Sequence, residues 1–431
     1  ALAAFAILFG TRHIDTTEHQ DGMILAVAVE SVVKLMAFLV VGLFVTFSMA
    51  GGPSHFLDLI VARRDIGQVF TAPPDYGRLI TMMVLSMFAI ILLPRQFHVL
   101  VVENTSRSDV RRAALLFPLY LVAINLFVVP IAIAGLGMAS GADADTFVLA
   151  LPVAAGNTVM AMVAYIGGVS AATAMVIVET IALSIMVSNN LFVPLFLARN
   201  RFTGAPQDDM GRALLVIRRW TIAGILILAY AYYWTAGTSA ALAQTGLLSF
   251  AAVAQFAPAF FGGMIWKRAT ALGAMAGIAA GFTIWAYTLL IPSFVESGWL
   301  PQQLLDHGPF GLMSLRPRHL FGLEAHPLTH GVLWSLMANV LFYLTFSFLR
   351  RPSQIELLQA HAFSAQDAPG SAGTGFRIWR STITNGQVEE MVARYLGPER
   401  TRAAFAGMAA ERGIDDDPMQ EADVRVLRFG E

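Results

Sequence analysis

Apolar residues run in long stretches through the first 349 positions, separated by short polar breaks. A helix needs about 17–25 predominantly apolar residues to cross a bilayer. Eight runs qualify, at roughly 22–48, 78–100, 113–137, 157–197, 220–236, 241–265, 271–292 and 329–349. The fourth exceeds what a bilayer needs, so it either tilts or continues as helix beyond the membrane. Residues 1–9 are also apolar, and Gly10-Thr11-Arg12-His13 ends that run. Nine helical residues rise only about 13 Å, and no basic leader or small-residue cleavage site makes a signal peptide of them. They are expected to be the last turns of a spanning helix that begins before Ala1. Arg428-Phe429-Gly430-Glu431 reads as the start of a helix, so the chain is expected to be a piece cut at both ends.

Composition sharpens this into two regions. Of 431 residues, 56% are hydrophobic and 13% charged, against about 25% charged in soluble domains. From Arg350 to Glu431 there are 10 basic and 12 acidic residues in 82 positions, whereas the first 349 positions hold the other 35 charged residues. The contrast predicts a transmembrane domain at 1–350, a linker at 351–375 and a small cytoplasmic helical module at 376–431. In that module Asn385 caps a first helix with Val388, Met391, Val392 and Tyr395 on one face, and Gly397-Pro398 opens a second that ends near Gly413. Asp415-Asp416-Asp417-Pro418 makes a turn before a third helix at about Glu421. About 55 residues are too few for an enzyme and suit docking or signal relay. A net charge of −1 argues against a nucleic-acid partner, and the absence of Cys excludes disulfides, thiol catalysis and Cys-ligated metals.

Basic residues orient the spans. Arg12, Arg95, Arg107, Arg111, Arg112, Arg199, Arg201, Arg212, Arg218, Arg219, Lys267, Arg268, Arg350 and Arg351 fall on one side. The positive-inside rule makes that side and the tail cytoplasmic. Arg63, Arg64 and Arg78 lie in an opposite loop and dissent, while Arg316 and Arg318 sit in a long loop where the rule is weak.

Polar residues inside the spans carry the candidate chemistry, because a charge at the bilayer centre costs about 2.5–3.5 kcal/mol on insertion scales. Glu30 and Lys34 in the first span stand at i,i+4 and can neutralise each other. They read either as a site or gate element facing the protein interior or as a structural ion pair. Leu93-Pro94-Arg95-Gln96-Phe97-His98 puts a proline in the second span. A break there frees carbonyls near Gln96 and His98, as in the discontinuous helices of secondary transporters; the other reading is a helix end among headgroups. In the fourth span Ser170, Thr173, Thr180 and Ser184 share one helical face behind Gly167-Gly168. Hydroxyls and carbonyls suit a hard cation such as sodium, and equally suit ordinary helix packing. Glu179 lies off that stripe with no partner visible in the sequence. Gly273, Gly277 and Gly281 form a packing seam, and Asn125 with Pro130 and Gln255 with Pro258 read as kink or packing positions. No His-Glu-x-x-His pair, P-loop or Gly-x-Ser-x-Gly elbow is present, so no enzyme activity is expected of these residues.

Several segments carry a resemblance. They are Phe9-Gly10-Thr11-Arg12-His13-Ile14-Asp15-Thr16-Thr17-Glu18-His19; Leu93 to Val99 with Val102-Glu103-Asn104; Gly167 to Thr173 through Val187-Ser188-Asn189-Asn190; Ser249 to Pro258; and Val392-Ala393-Arg394-Tyr395-Leu396-Gly397. In this order and spacing the chain resembles the sodium/solute symporter family, in the branch fused to sensor histidine kinases of the CbrA type.

The resemblance implies an all-α, polytopic membrane protein with part of an inverted-repeat, LeuT-like fold. The eight spans and the stub would be helices six to thirteen of thirteen. It also implies sodium as the coupling ion on Ser170 and Thr173, which two alanines separate where sodium-coupled members usually carry adjacent hydroxyls. Gln96 and His98 match a family segment near the substrate path, with the proline displaced, and Glu30 and Lys34 join them as candidates. No other cofactor or metal is expected. The implied protein is the transporter-like input domain of a sensor histidine kinase in the bacterial inner membrane, its C-terminus cytoplasmic. Its implied partners are the bilayer, a small polar solute such as an amino acid, and kinase domains beyond Glu431. A plain cation-coupled symporter with a docking tail is the alternative. An intramembrane enzyme would be a third, without a motif.

Overall fold

The computed structural model describes residues 21–104, 106–138, 141–192, 194–195, 207–236, 242–354, 356–357 and 360. The chain divides into two units, Ala1–Ala360 and His361–Glu431, and the described residues belong to the first. The apolar stub at 1–9, most of the linker and the whole helical module lie outside the described residues.

Every regular element among the described residues is helical. Among the described residues seven helices are long and apolar enough to cross a membrane, and a helix pair bent at a break makes eight when it is counted as one span. The eight coincide with the eight apolar runs, and the chain is a multi-pass membrane protein. In order, α1 (Asp21–Leu43) continues through a π-helical segment, Phe44–Met49, and is followed by short α2 (Pro53–Ala62) and α3 (Arg64–Thr71). The bent span is α4 (Tyr76–Leu92) with α5 (Pro94–Phe97) and a second π segment, His98–Val102. Next come α6 (Arg107–Asn125), α7 (Val128–Met138), α8 (Phe147–Ala154), α9 (Thr158–Val187) and α10 (Gln207–Ala236). The remainder are α11 (Leu242–Val253), α12 (Ala257–Ile265), α13 (Ala271–Trp285), α14 (Ile291–Glu296), α15 (Gln303–His307) and α16 (Pro327–Leu349). The long fourth run is therefore a single helix, α9, that ends in a π segment, Ser188–Phe192.

Short polar side chains set the helix starts by accepting otherwise orphaned amides. Asp75 accepts from Arg78 at 3.0 Å to begin α4, Asn157 from Met160 at 3.1 Å to begin α9, and Thr270 from Gly273 at 3.1 Å to begin α13. His326 does the same for α16, its Nδ1 accepting from the Leu328 amide at 3.3 Å, with Pro327 in the first turn.

Two apolar clusters hold the bundle. Val41, Val45, Phe56, Ile66, Phe127, Ile131 and Leu151 bury one between α1, α2, α3, α7 and α8. Leu85, Ala251, Ala254, Leu328 and Val332 bury the other between α4, α11 and α16. Helices α13 and α16 pack closely along the glycine seam. A Cβ on Gly277 would stand 2.8 Å from the Asn339 carbonyl oxygen, and one on Gly273 would be 2.7 Å from that of Tyr343. Only the missing side chains permit this approach. Beside the seam, fully buried Gln255 donates to Ala251 O at 3.1 Å and to Ser335 Oγ at 3.0 Å, while Asn339 Nδ2 donates to the Gln255 carbonyl at 2.6 Å. A position the sequence marks as kink or packing is thus a buried polar tie between α11 and α16.

At the Arg-rich end, α13, α16 and the chain beyond α16 are knotted together. The Ser347 hydroxyl lies 3.4 Å from both the amide and the hydroxyl of Thr270. Glu356 accepts from the Ala271 amide at 2.8 Å and from the Ser353 amide at 2.6 Å, and its own amide donates to Ser353 Oγ at 3.3 Å. The Ala271 and Ser353 amides hold its carboxyl below the usual carboxylate range.

Candidate functional site

The site is built around the break in the second span. Proline has no amide to give the carbonyl four residues back, and its ring disfavours a helical residue before it. Leu93 is accordingly extended, at φ −61° and ψ 130°, and the helix resumes at Pro94 with its axis turned by 48°. The observed geometry is the break rather than a simple helix end. The resumed segment lies against α9, which carries Ser170, Thr173 and Glu179, and α9 in turn lies along α1, which carries Glu30 and Lys34.

His98 and Glu103 face each other within that segment. The Glu103 amide donates to the His98 carbonyl at 2.9 Å, an i→i+5 bond that brings residues five apart onto one side. His98 Nε2 then sits 3.2 Å from Glu103 Oε1, with the two side chains 6% and 4% exposed. Sequence spacing for an α-helix separates these two, and only the π turn joins them. Gln96, two residues before His98, is half-buried.

Ser170 reaches across the α1–α9 contact and donates to the Glu30 carbonyl oxygen at 3.0 Å. Gly167, one turn earlier, gives up its side chain to Ala37 of α1: a Cβ there would stand 2.6 Å from that of Ala37. Gly168 faces open space. Thr173 spends its hydroxyl proton on Val169 O at 2.7 Å. Thr180 and Ser184 likewise donate to carbonyls of their own helix, so this part of the stripe is satisfied within α9. The structure thus joins Ser170 to Glu30 and leaves Thr173 on its own helix.

Charged groups on three helices act on one another at a distance. Lys34 of α1 is an electrostatic neighbour of both Glu30 and Arg95, and Arg95 is in turn a neighbour of Glu179 on α9. Glu30 and Lys34 do not close into a contact pair: among the described residues no carboxylate oxygen lies within 4.0 Å of Lys34 or of Arg95. Glu179 feels the charge of Arg95 but makes no contact pair with it among the described residues. No group of three His, Asp or Glu side chains gathers to hold a metal among the described residues. A groove of 720 Å³ between α4 and α16, lined by Ile80, Val84, Leu336 and Val340 among others, is almost wholly apolar and brings no such charges together.

Comparison of the chain with protein-family models, curated proteins and solved structures finds no match.

Proposed function

We propose that this chain is the transporter-like input domain of a bacterial inner-membrane sensor kinase, binding or moving a small polar solute such as an amino acid. The observation that carries the reading is the broken span at Leu93–Pro94, packed against α9 with Gln96, His98, Arg95 and Glu179 around it. Broken helices with polar groups beside them are how secondary transporters build solute sites within a bilayer. On this reading the bundle is part of a LeuT-like inverted-repeat fold with the Arg-rich side cytoplasmic. Ser170 and Thr173 are the candidate sodium ligands, each with lone pairs left after its proton is donated. Gln96, His98, Glu30 and Lys34 line the solute path, and the helical module relays occupancy to a kinase.

The test is uptake of labelled amino acids by proteoliposomes, with and without a sodium gradient. Sodium-stimulated uptake that falls in Ser170→Ala and Thr173→Ala supports transport with these hydroxyls on the ion. Solute binding without uptake supports a receptor. Neither binding nor uptake of any amino acid rejects the reading.

A further inference from the structure

Between α15 and α16 the chain forms a strap, residues 308–323, at the end of α16 away from Arg350 and Arg351. Three helices hold it. The Tyr287 hydroxyl, in a π-helical segment that follows α13, donates to the Leu315 carbonyl. Arg318 pairs with Glu296 of α14. From α16, His330 Nε2 accepts the Leu320 amide at 2.9 Å. Of the three clasps only this last is fully buried.

That bond fixes the protonation of the ring. A nitrogen that accepts must keep its lone pair, so His330 is neutral with its hydrogen on Nδ1, and Nδ1 is buried without a hydrogen-bond partner. Among the described residues no carboxylate lies within 4.0 Å of the ring to stabilise an imidazolium. The ionisable groups around it are His319 beside Leu320, whose charge acts on the ring, Arg318 with Glu296, and Tyr287 from the α13 side. His326 stands one turn earlier, with Asp75 and Arg78 at the start of α4. The turn held by His330 is strained: Phe321 sits at φ 56° and ψ 24°, a left-handed conformation that is costly for a bulky side chain. Its ring packs on Trp334, one turn beyond His330, with centroids 5.1 Å apart. Two side chains of α16 thus hold two adjacent residues of the strap.

We propose that the strap is a lid that neutral His330 keeps shut and that opens when the ring takes a proton from solvent. A proton on Nε2 uses up the accepting lone pair, sets N–H against N–H and leaves a buried charge with no carboxylate facing it. The turn then releases and Phe321 relaxes out of its strained conformation. This stands apart from the solute-handling reading.

The test is a spin-label distance in detergent between M313C on the strap and Y76C at the start of α4, both exposed positions in a chain without Cys. As pH is stepped from about 7.5 to about 4.5, across the ordinary histidine range, the parent should gain a second, longer distance. His330→Gln, whose amide oxygen can still accept from Leu320 but cannot titrate, should keep the short distance throughout. His330→Leu, with no acceptor, should show the longer distance at both ends of the range. His319→Gln and His326→Asn should open as the parent does. A parent distance that does not change, or a His330→Gln variant that opens with the parent, overturns the lid. So does a parallel change in a reference pair at M83C and V101C, which would mean general unfolding. Should His330→Leu fail to fold, the parent and His330→Gln decide.

Discussion

Glu103 Oε1 lies 3.2 Å from His98 Nε2 because one π turn replaces an α turn immediately after the proline break. The pair is buried, so deleting either side chain leaves a polar group in the interior short of one contact. His98→Leu and Glu103→Leu should each cost about 3 kcal/mol, and the double variant less than the sum of the two. Denaturant or thermal unfolding in detergent measures all three, and strict additivity would show that the two side chains do not interact.

Pro94→Ala restores an amide and removes the ring that keeps Leu93 extended. The span should straighten, moving exposed positions Met83 and Val101 apart by about 2 Å at helical rise. The chain has no Cys, so spin labels on M83C and V101C report that distance directly. An unchanged distance would mean that packing against α9, not proline, imposes the bend.

Glu30→Gln removes the attraction on Lys34 and leaves the repulsion from Arg95. It should destabilise the protein by less than about 1 kcal/mol, because the two side chains are only half-buried and make no contact pair. Adding Lys34→Met should recover most of that loss. A double variant that melts below the single would show that Lys34 has stabilising contacts which outweigh its repulsion.

Gly277→Val should destabilise the α13–α16 pair by at least about 1–3 kcal/mol through overpacking, since the new side chain meets the Asn339 backbone. A Cβ added at Gly224, in the middle of α10, would meet nothing within 4 Å, and Gly224→Ala should gain up to about 1 kcal/mol from helix propensity. Opposite signs in one melting assay are the expected result.

His326 titrates against the fold. Burial first, and then the Arg78 charge, hold its pKa below the ordinary histidine value of 6.5, although Asp75 pulls the other way. A depressed folded pKa means stability that is complete above 6.5 and is lost as pH falls through the lowered value. Protonation also removes the Nδ1 lone pair that caps α16. The loss should stay under about 1 kcal/mol because solvent screens much of the ring. His326→Asn keeps a capping oxygen without a titrating group, so its melting temperature should not follow the parent's decline below pH 6.5.

Much of the fold was legible from the chain because burial in a bilayer demands long apolar runs, and each run became a span. Pro94 marked the break and the four-residue spacing of Gly273, Gly277 and Gly281 marked a close helix pair, since both depend on local covalent properties. The charge cluster was not legible in the same way. Arg95 lies 61 positions from Lys34 and 84 from Glu179, and only the arrangement of the helices lets its charge act on either. The i,i+4 rule makes Glu30 and Lys34 able to pair, whereas the two close no contact pair in the structure. His98 and Glu103 escaped for a different reason: a π turn changes which residues share a face, and no residue type announces one.

The Glu356 carboxylate ends two hydrogen-bond chains at once, one from the first amide of α13 and one from Ser353 just after α16. The polypeptide leaving the bundle is covalently continuous with α16, yet its heading is indexed to α13. Any tilt or axial slip of α13 must drag that shared acceptor or abandon it, so the exit path acts as a pointer whose pivot is on a different helix from the one that bears it.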